Sequence, residues 1–191
     1  MAAPDNPLHT VKAETLTAAE FALYGEVMSL EATPKLPIDF YSGLNAVHGP
    51  VRIDADDTPE ILVFRVGARG TNVRYLERHV EMTQAMIPLN GDSYVAVVAP
   101  PDAPEEDGFP VLDSIRAFVV PGDVSLSLHR GTWHEPPFPS VDGQLFLITS
   151  HRRLTQGLQC KLDENGELDQ YDVEKRSPFY RTGKRVTISL P

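Results

Sequence analysis

Short runs of β-branched and aromatic residues, each stopped by a turn signal, constrain this chain more than any other feature. They are Ile61 to Val66, Val73 to His79, Gln84 to Leu89, Ser93 to Ala99, Ile115 to Val120, Val124 to Leu128 and Gln144 to His151. Runs this short and this rich in Val, Ile, Phe and Tyr predict strands rather than helices. The stops between them, such as Asn90-Gly91-Asp92 and Pro121-Gly122-Asp123, carry residues that suit tight turns. Strands in such number imply a sandwich or barrel, in which two apolar faces cover each other. A further strand is expected late, at Val186 to Leu190, in a tail from Leu158 to Pro191 that otherwise mixes turn signals. One short helix is predicted near Thr17 to Tyr24, because Thr17-Ala18-Ala19-Glu20 has capping-box spacing and Gly25 stops it. The residues before it read as a polar arm. Glu31 to Pro59, rich in Pro, Gly and Asp, reads as irregular structure with short edge strands. The acidic, proline-rich stretch Pro100 to Pro110 reads as a solvated excursion. No repeat or linker divides the 191 residues, so a single domain over 1–191 is expected, with an N-terminal arm and a C-terminal extension.

Charge narrows the class of partner. Seventeen Lys and Arg against 27 Asp and Glu leave a formal net charge of −10, and no basic stripe is present to hold nucleic acid or an anionic membrane. A small molecule is the expected partner. Met1 to Leu8 lacks the basic start and apolar stretch of a signal peptide, and no apolar run approaches the ~20 residues that span a bilayer, so a soluble cytoplasmic protein is expected. The single cysteine, Cys160, has no thiol partner and reads as a spectator.

Chemistry-bearing residues gather in two places. In Leu76 to Pro88, alternation puts Glu77, His79 and Glu81 on one face of a strand, and a turn or bulge near Glu81 to Thr83 would return Gln84 to the same side. The second place is His129-Arg130-Gly131-Thr132-Trp133-His134. Arg78 falls on the opposite pleat from His79. Trp133 reads as a wall or core residue, since an indole has no acid-base role. His9, His48 and His151 lack supporting spacing and read as structural, with His48 able to reach a pocket rim.

These two places resemble the paired motifs of the cupins. Pro121-Gly122-Asp123 followed by a strand, a small loop and His134 has the form of the second cupin motif, with His134 at the ligand position and His129 where the ordinary motif has proline. In the first motif Glu77, His79, Gln84 and Gly91 occupy the usual histidine, histidine, acid and glycine positions. The altered pattern Leu76-Glu77-Arg78-His79, Thr83 to Pro88, Gly91, Val95 to Ala99 and His129-Arg130-x-x-Trp133-His134-x-Pro136 resembles the bacterial ureidoglycolate lyases, over roughly Leu16 to Ile148. That resemblance implies an all-β cupin jelly roll, or double-stranded β-helix, with a short N-terminal helix. It also implies a homodimer and cleavage of ureidoglycolate to glyoxylate and urea in purine and allantoin breakdown.

For that reaction the candidate roles are as follows. His79 and His134, with Gln84 or Glu77, would hold a divalent metal such as nickel, zinc or manganese. His129 or Glu77 would move the proton, with Gln84 beside them. Arg78 or Arg130 would hold the substrate carboxylate, and Trp133 would wall the pocket. The chain departs from the family at Glu135, at Ser42 to His48, at Thr149 to Arg153 and in its C-terminal extension. Two other readings are a cupin enzyme acting on a related hydroxy or oxo acid, and a cupin that binds a small carboxylate without turning it over.

Overall fold

The computed structural model describes residues 7–38 and 40–191; residues 1–6 and 39 lie outside the description, and with them the start of the expected arm. The described chain is an all-β double sheet, and the predicted runs are strands within one or two residues of their expected ends, except Val73 to His79, which breaks into Asn72–Val73 and Leu76–Arg78. One sheet contains Gly25–Met28, Ser125–Leu128, Gln84–Pro88, Gln144–His151 and Pro59–Val66, in that order across it. The other runs Leu168–Gln170, Val173–Arg176, Leu76–Arg78, Trp133–His134, Tyr94–Ala99, Arg116–Val120, Leu8–Thr15, Arg185–Ser189 and Asn72–Val73, with Phe138–Pro139 also paired to Tyr94–Ala99.

Tyr94–Ala99 shows why a jelly roll forms. All six of its residues are buried. Tyr94, Ala96 and Val98 enter a core with Phe118, Phe146, Leu126 and Leu128 between the sheets. Val95, Val97 and Ala99 point the other way, into a second core with Trp133, Phe109, Phe138 and Ile188. A strand covered on both faces is apolar at every position, and this one reads so in sequence. Tyr94 meets Phe146 edge-on at 5.1 Å between ring centroids, a geometry that adds to the burial.

The expected helix is present as Ala18–Phe21, where Thr17 Oγ1 accepts from Glu20 N at 3.2 Å. It seats Phe21 and Tyr24 against Phe118, with centroids 5.6 and 5.7 Å away.

Three expectations need correction. The polar arm is in its described part a strand, Leu8–Thr15, which pairs in parallel with Arg116–Val120 on one side and Arg185–Ser189 on the other. Only Val11 and Ala13 are buried along it, and two small apolar residues among polar ones were too thin an alternation to read. Pro100 to Pro110 is solvated only in part: Asp102 and Pro104 to Gly108 are exposed, but it closes as a hairpin of Glu105–Glu106 with Phe109–Pro110 and drops Ala103 and Phe109 into the outer core. Between Glu31 and Pro59 the described residues form no strands, only the isolated bridges Lys35 to His48 and Ala55 to Met82. Gln84–Pro88 also lies in the sheet opposite Leu76–Arg78, so the turn between them crosses from one sheet to the other. Arg152–Leu158, leading into the tail, and Pro178–Thr182 within it are helical.

Candidate active site

Strand pairing assembles the site. Within Leu76–Arg78, Leu76 faces the outer core and Glu77 faces inward. Glu77 is opposite His134 on one neighbouring strand and opposite Lys175 on the other. Cross-strand partners lie on the same face of a sheet, so His134, Glu77 and Lys175 form an inward-facing row. His79, just past the end of its strand, turns its ring to within 5.1 Å of the His134 ring centroid. Glu77, His79 and His134 each bring one potential ligand atom within 4.8 Å of the others, and all three are buried.

The turn before His134 needs its glycine. Gly131 has φ of 78°, its N–H donates to His79 O at 2.6 Å, and Thr132 N–H donates to His129 O at 3.1 Å. A side chain at this left-handed position would be strained and would press on Pro101 Cβ at 3.3 Å. Thr132 Oγ1 and His129 N both donate to Tyr24 O, at 2.8 and 2.9 Å, tying the turn to the N-terminal helix.

Hydrogen bonds set the state of both imidazoles. His79 Nδ1 lies 2.7 Å from Asp172 O, and His134 Nδ1 lies 2.9 Å from Thr132 O. A carbonyl only accepts, so each Nδ1 carries the proton and each Nε2 of a neutral ring presents a lone pair. Neither buried Nε2 has a hydrogen-bond partner among the described residues. Burial, reinforced by His79, pushes His134 down to about 4, which keeps it neutral at physiological pH. Burial alone would raise the Glu77 carboxyl, but the Lys175 ammonium, by charge and by hydrogen bond, outweighs it and holds the group below its usual range. Lys175 Nζ stands 2.8 Å from Glu77 Oε2. It is held above its usual range because attraction to Glu77 exceeds the cost of its burial.

Asp172 supports the arrangement from behind. Its Oδ1 accepts from Val80 N and Glu81 N at 2.7 and 2.9 Å, and its Oδ2 pairs with His151 Nε2 at 2.8 Å. One aspartate therefore fixes the backbone after His79 while its carbonyl orients the His79 ring. Behind the next residue along, Glu135 is buried with Arg69 Nη2 3.9 Å away, and burial raises its carboxyl to about 8.

The row opens on a cavity of about 290 Å³. Its far wall is apolar, built from Leu62, Phe64, Met86 and Ile148 of the opposite sheet. Gln84, the other sheet's polar contribution, lines it together with Glu77, His134 and Lys175.

Of the residues singled out in the sequence, Glu77, Gln84 and His134 line the cavity, and His79 joins Glu77 and His134 in the buried trio without lining it. The others do not reach the cavity. Arg78 points to the opposite face, where it bonds Glu105 and Glu174 at 2.6 Å each and lies 4.3 Å over the Trp133 ring. Trp133 is fully buried in the outer core, one residue and hence one pleat from His134. Arg130 pairs with Asp56 at 2.8 Å on the surface, and the exposed His129 ring contacts Ala22 O at 3.3 Å. Sequence reasoning missed Lys175 and Asp172. A lone lysine in a polar tail carries no signal of its own, and His151 is drawn in only through Asp172.

A jelly roll with Glu77 and His134 facing a small cavity between its sheets, and His79 beside them, defines a cupin-like fold. The chain belongs to the ureidoglycolate lyase family: the family model described as ureidoglycolate lyase matches residues 8–169. The ureidoglycolate lyase of Azotobacter vinelandii is 32% identical over 164 residues, covering 82% of this chain and 93% of that protein. That of Pseudomonas fluorescens is 33% identical over 158 residues, covering 80% and 90%. That of Pseudomonas syringae pv. tomato is 34% identical over 159 residues, covering 80% and 88%. Asp172 and Lys175 lie beyond the residues that the family model matches. No helix among the described residues is long and apolar enough to cross a membrane.

Proposed function

We propose that this chain is a ureidoglycolate lyase, splitting ureidoglycolate into glyoxylate and urea in the cytoplasm as a homodimer. The observation that carries this reading is the buried trio Glu77, His79 and His134 with two unpartnered Nε2 atoms, set in a chain of that family.

The trio fits a divalent metal. Two imidazoles already fixed through Nδ1–H bonds to carbonyls, plus one ionised carboxylate, make a donor set suited to nickel, zinc or manganese. A bound ion would supply Lewis-acid polarisation of the substrate hydroxyl.

The residues themselves account for the rest. Glu77, ionised and buried beside the imidazoles, takes the proton of the substrate hydroxyl. As that O–H bond breaks, the oxygen forms the carbonyl of glyoxylate. The bond from the same carbon to the ureido nitrogen breaks, and its electron pair leaves with the nitrogen. The proton then held by Glu77 passes to that nitrogen, so urea departs neutral and the carboxylate is regenerated. Gln84, on the facing wall, has the amide that a ureido group needs for hydrogen bonding. The apolar wall opposite keeps water from competing for the proton.

Incubating purified protein with ureidoglycolate and each divalent ion in turn, and measuring both products, tests the reading. Glyoxylate and urea should appear in equal amounts and faster than in the uncatalysed control. Release of neither product with any of these ions rejects the assignment.

A further inference from the structure

We propose that Lys175, supplied by the C-terminal extension, is the residue that seats the substrate carboxylate; this rests on the reading of the cavity as a site for a small hydroxy acid. Ureidoglycolate and glyoxylate both carry a carboxylate, which loses its water when it enters a cavity walled by Leu62, Phe64, Met86 and Ile148. Such an ion needs a paired cation inside. The arginines that the sequence offered for this task are engaged elsewhere: Arg78 with Glu105 and Glu174 on the outer face, Arg130 with Asp56 on the surface.

Lys175 is the single cation among the described residues lining the cavity. Its position is fixed by the sheet, because Val173–Arg176 pairs with Leu76–Arg78 in a register that sets Lys175 against Glu77. Its Nζ lies 2.8 Å from Glu77 Oε2 and 4.2 Å from the centre of the Tyr75 ring. An ammonium has three donors. Glu77 engages one, which leaves donors for a second carboxylate in the cavity that Lys175 lines. His134 flanks Glu77 on the other side. An acid held at Lys175 therefore extends past the Glu77 carboxylate toward the imidazoles, which orders the substrate along the row: carboxylate at Lys175, hydroxyl at Glu77 and the histidines. The residue stands past position 169, where the family match ends, so the extension of this chain completes the site instead of merely covering it.

Lys175→Met and Lys175→Arg separate seating from folding, with thermal melting as the check on the fold. The Met variant should raise KM for ureidoglycolate about 30- to 100-fold while kcat falls by less than about 10-fold, the pattern of a lost binding contact. Inhibition by added glyoxylate should weaken in parallel, and the Arg variant should recover most of both. A folded Met variant with unchanged KM and unchanged glyoxylate inhibition overturns the proposal. If the Met variant does not fold, Lys175→Gln, which keeps a donor for Glu77, is judged by the same measures. If the wild type turns over no ureidoglycolate, titration calorimetry with glyoxylate still decides. Binding to the wild type that the variant loses upholds Lys175 although the reaction assignment has failed; equal binding, or none to the wild type, overturns Lys175 as well.

Discussion

His79 and His134 each commit one ring nitrogen to a backbone carbonyl and leave the other buried without a hydrogen-bond partner among the described residues. Buried polar atoms of this kind call for a partner, and the proposed divalent ion would meet both. His134→Ala removes one of few strong donors with no spare nearby, so bound metal and activity should fall together, metal affinity by about 10- to 100-fold or more. Elemental analysis of dialysed protein beside the product assay checks it; full metal content with full activity would place the ion elsewhere. His129→Gln is the control. Its ring is exposed and contacts Ala22 O at 3.3 Å, so metal content and turnover should both stay near wild type, and a large loss of turnover alone would return His129 to the proton pathway.

At the scale of elements, the C-terminal pieces are held on by buried charge. Glu167 is buried and accepts from Ser177 N at 2.8 Å and Arg181 Nε at 2.9 Å, which ties the helix Pro178–Thr182 to the hairpin that presents Asp172 and Lys175. Burial would raise the Glu167 carboxyl, but the Arg181 and Ser177 bonds outweigh it and hold the group below its usual 4.5. A carboxyl depressed in the folded state adds stability that is fully present above its unfolded value and is lost as pH falls through its folded value. Glu167→Gln should therefore melt lower than wild type at pH 7, and the gap should close as pH drops below about 4.5. Melting curves across pH 3 to 8 decide this; a gap of constant size would mean that Glu167 acts through packing and not through charge. Because the same hairpin carries Lys175, the variant should also raise KM.

The whole molecule leaves some large apolar groups in water. In the irregular segment after the first helix, Tyr41 and Leu44 are 79% and 84% exposed, with Phe40 at 51% beside them. Scattered exposed apolar residues are ordinary, but several within one short segment mark a contact surface. A second copy of the chain is the expected occupant, and light scattering at micromolar concentration should give twice the 21.1 kDa of one chain. Leu44→Asp should shift that mass toward the monomer. A monomeric wild type would leave the segment without a partner and reject the homodimer.

What the sequence determined by itself is what local physics sets. Strand positions from Ile61 to His151 follow from two-residue alternation and from turn residues, both readable within a few positions. The helix cap at Thr17 is equally local. Parity placed Glu77 and His79 on one face, and the step from Trp133 to His134 made one a core residue and the other a site residue. Tertiary structure alone decided the rest. Leu8–Thr15 is a strand because neighbours from two distant parts of the chain bracket it, and Phe109 is buried because a hairpin folds it beneath Trp133. Lys175 and Asp172 carry no local signal; pairing across nearly a hundred residues sets them against Glu77 and His79. Charge and polarity in a sequence say that a residue can live in water; whether it instead meets a buried partner depends on strand register, which is a property of the folded sheet.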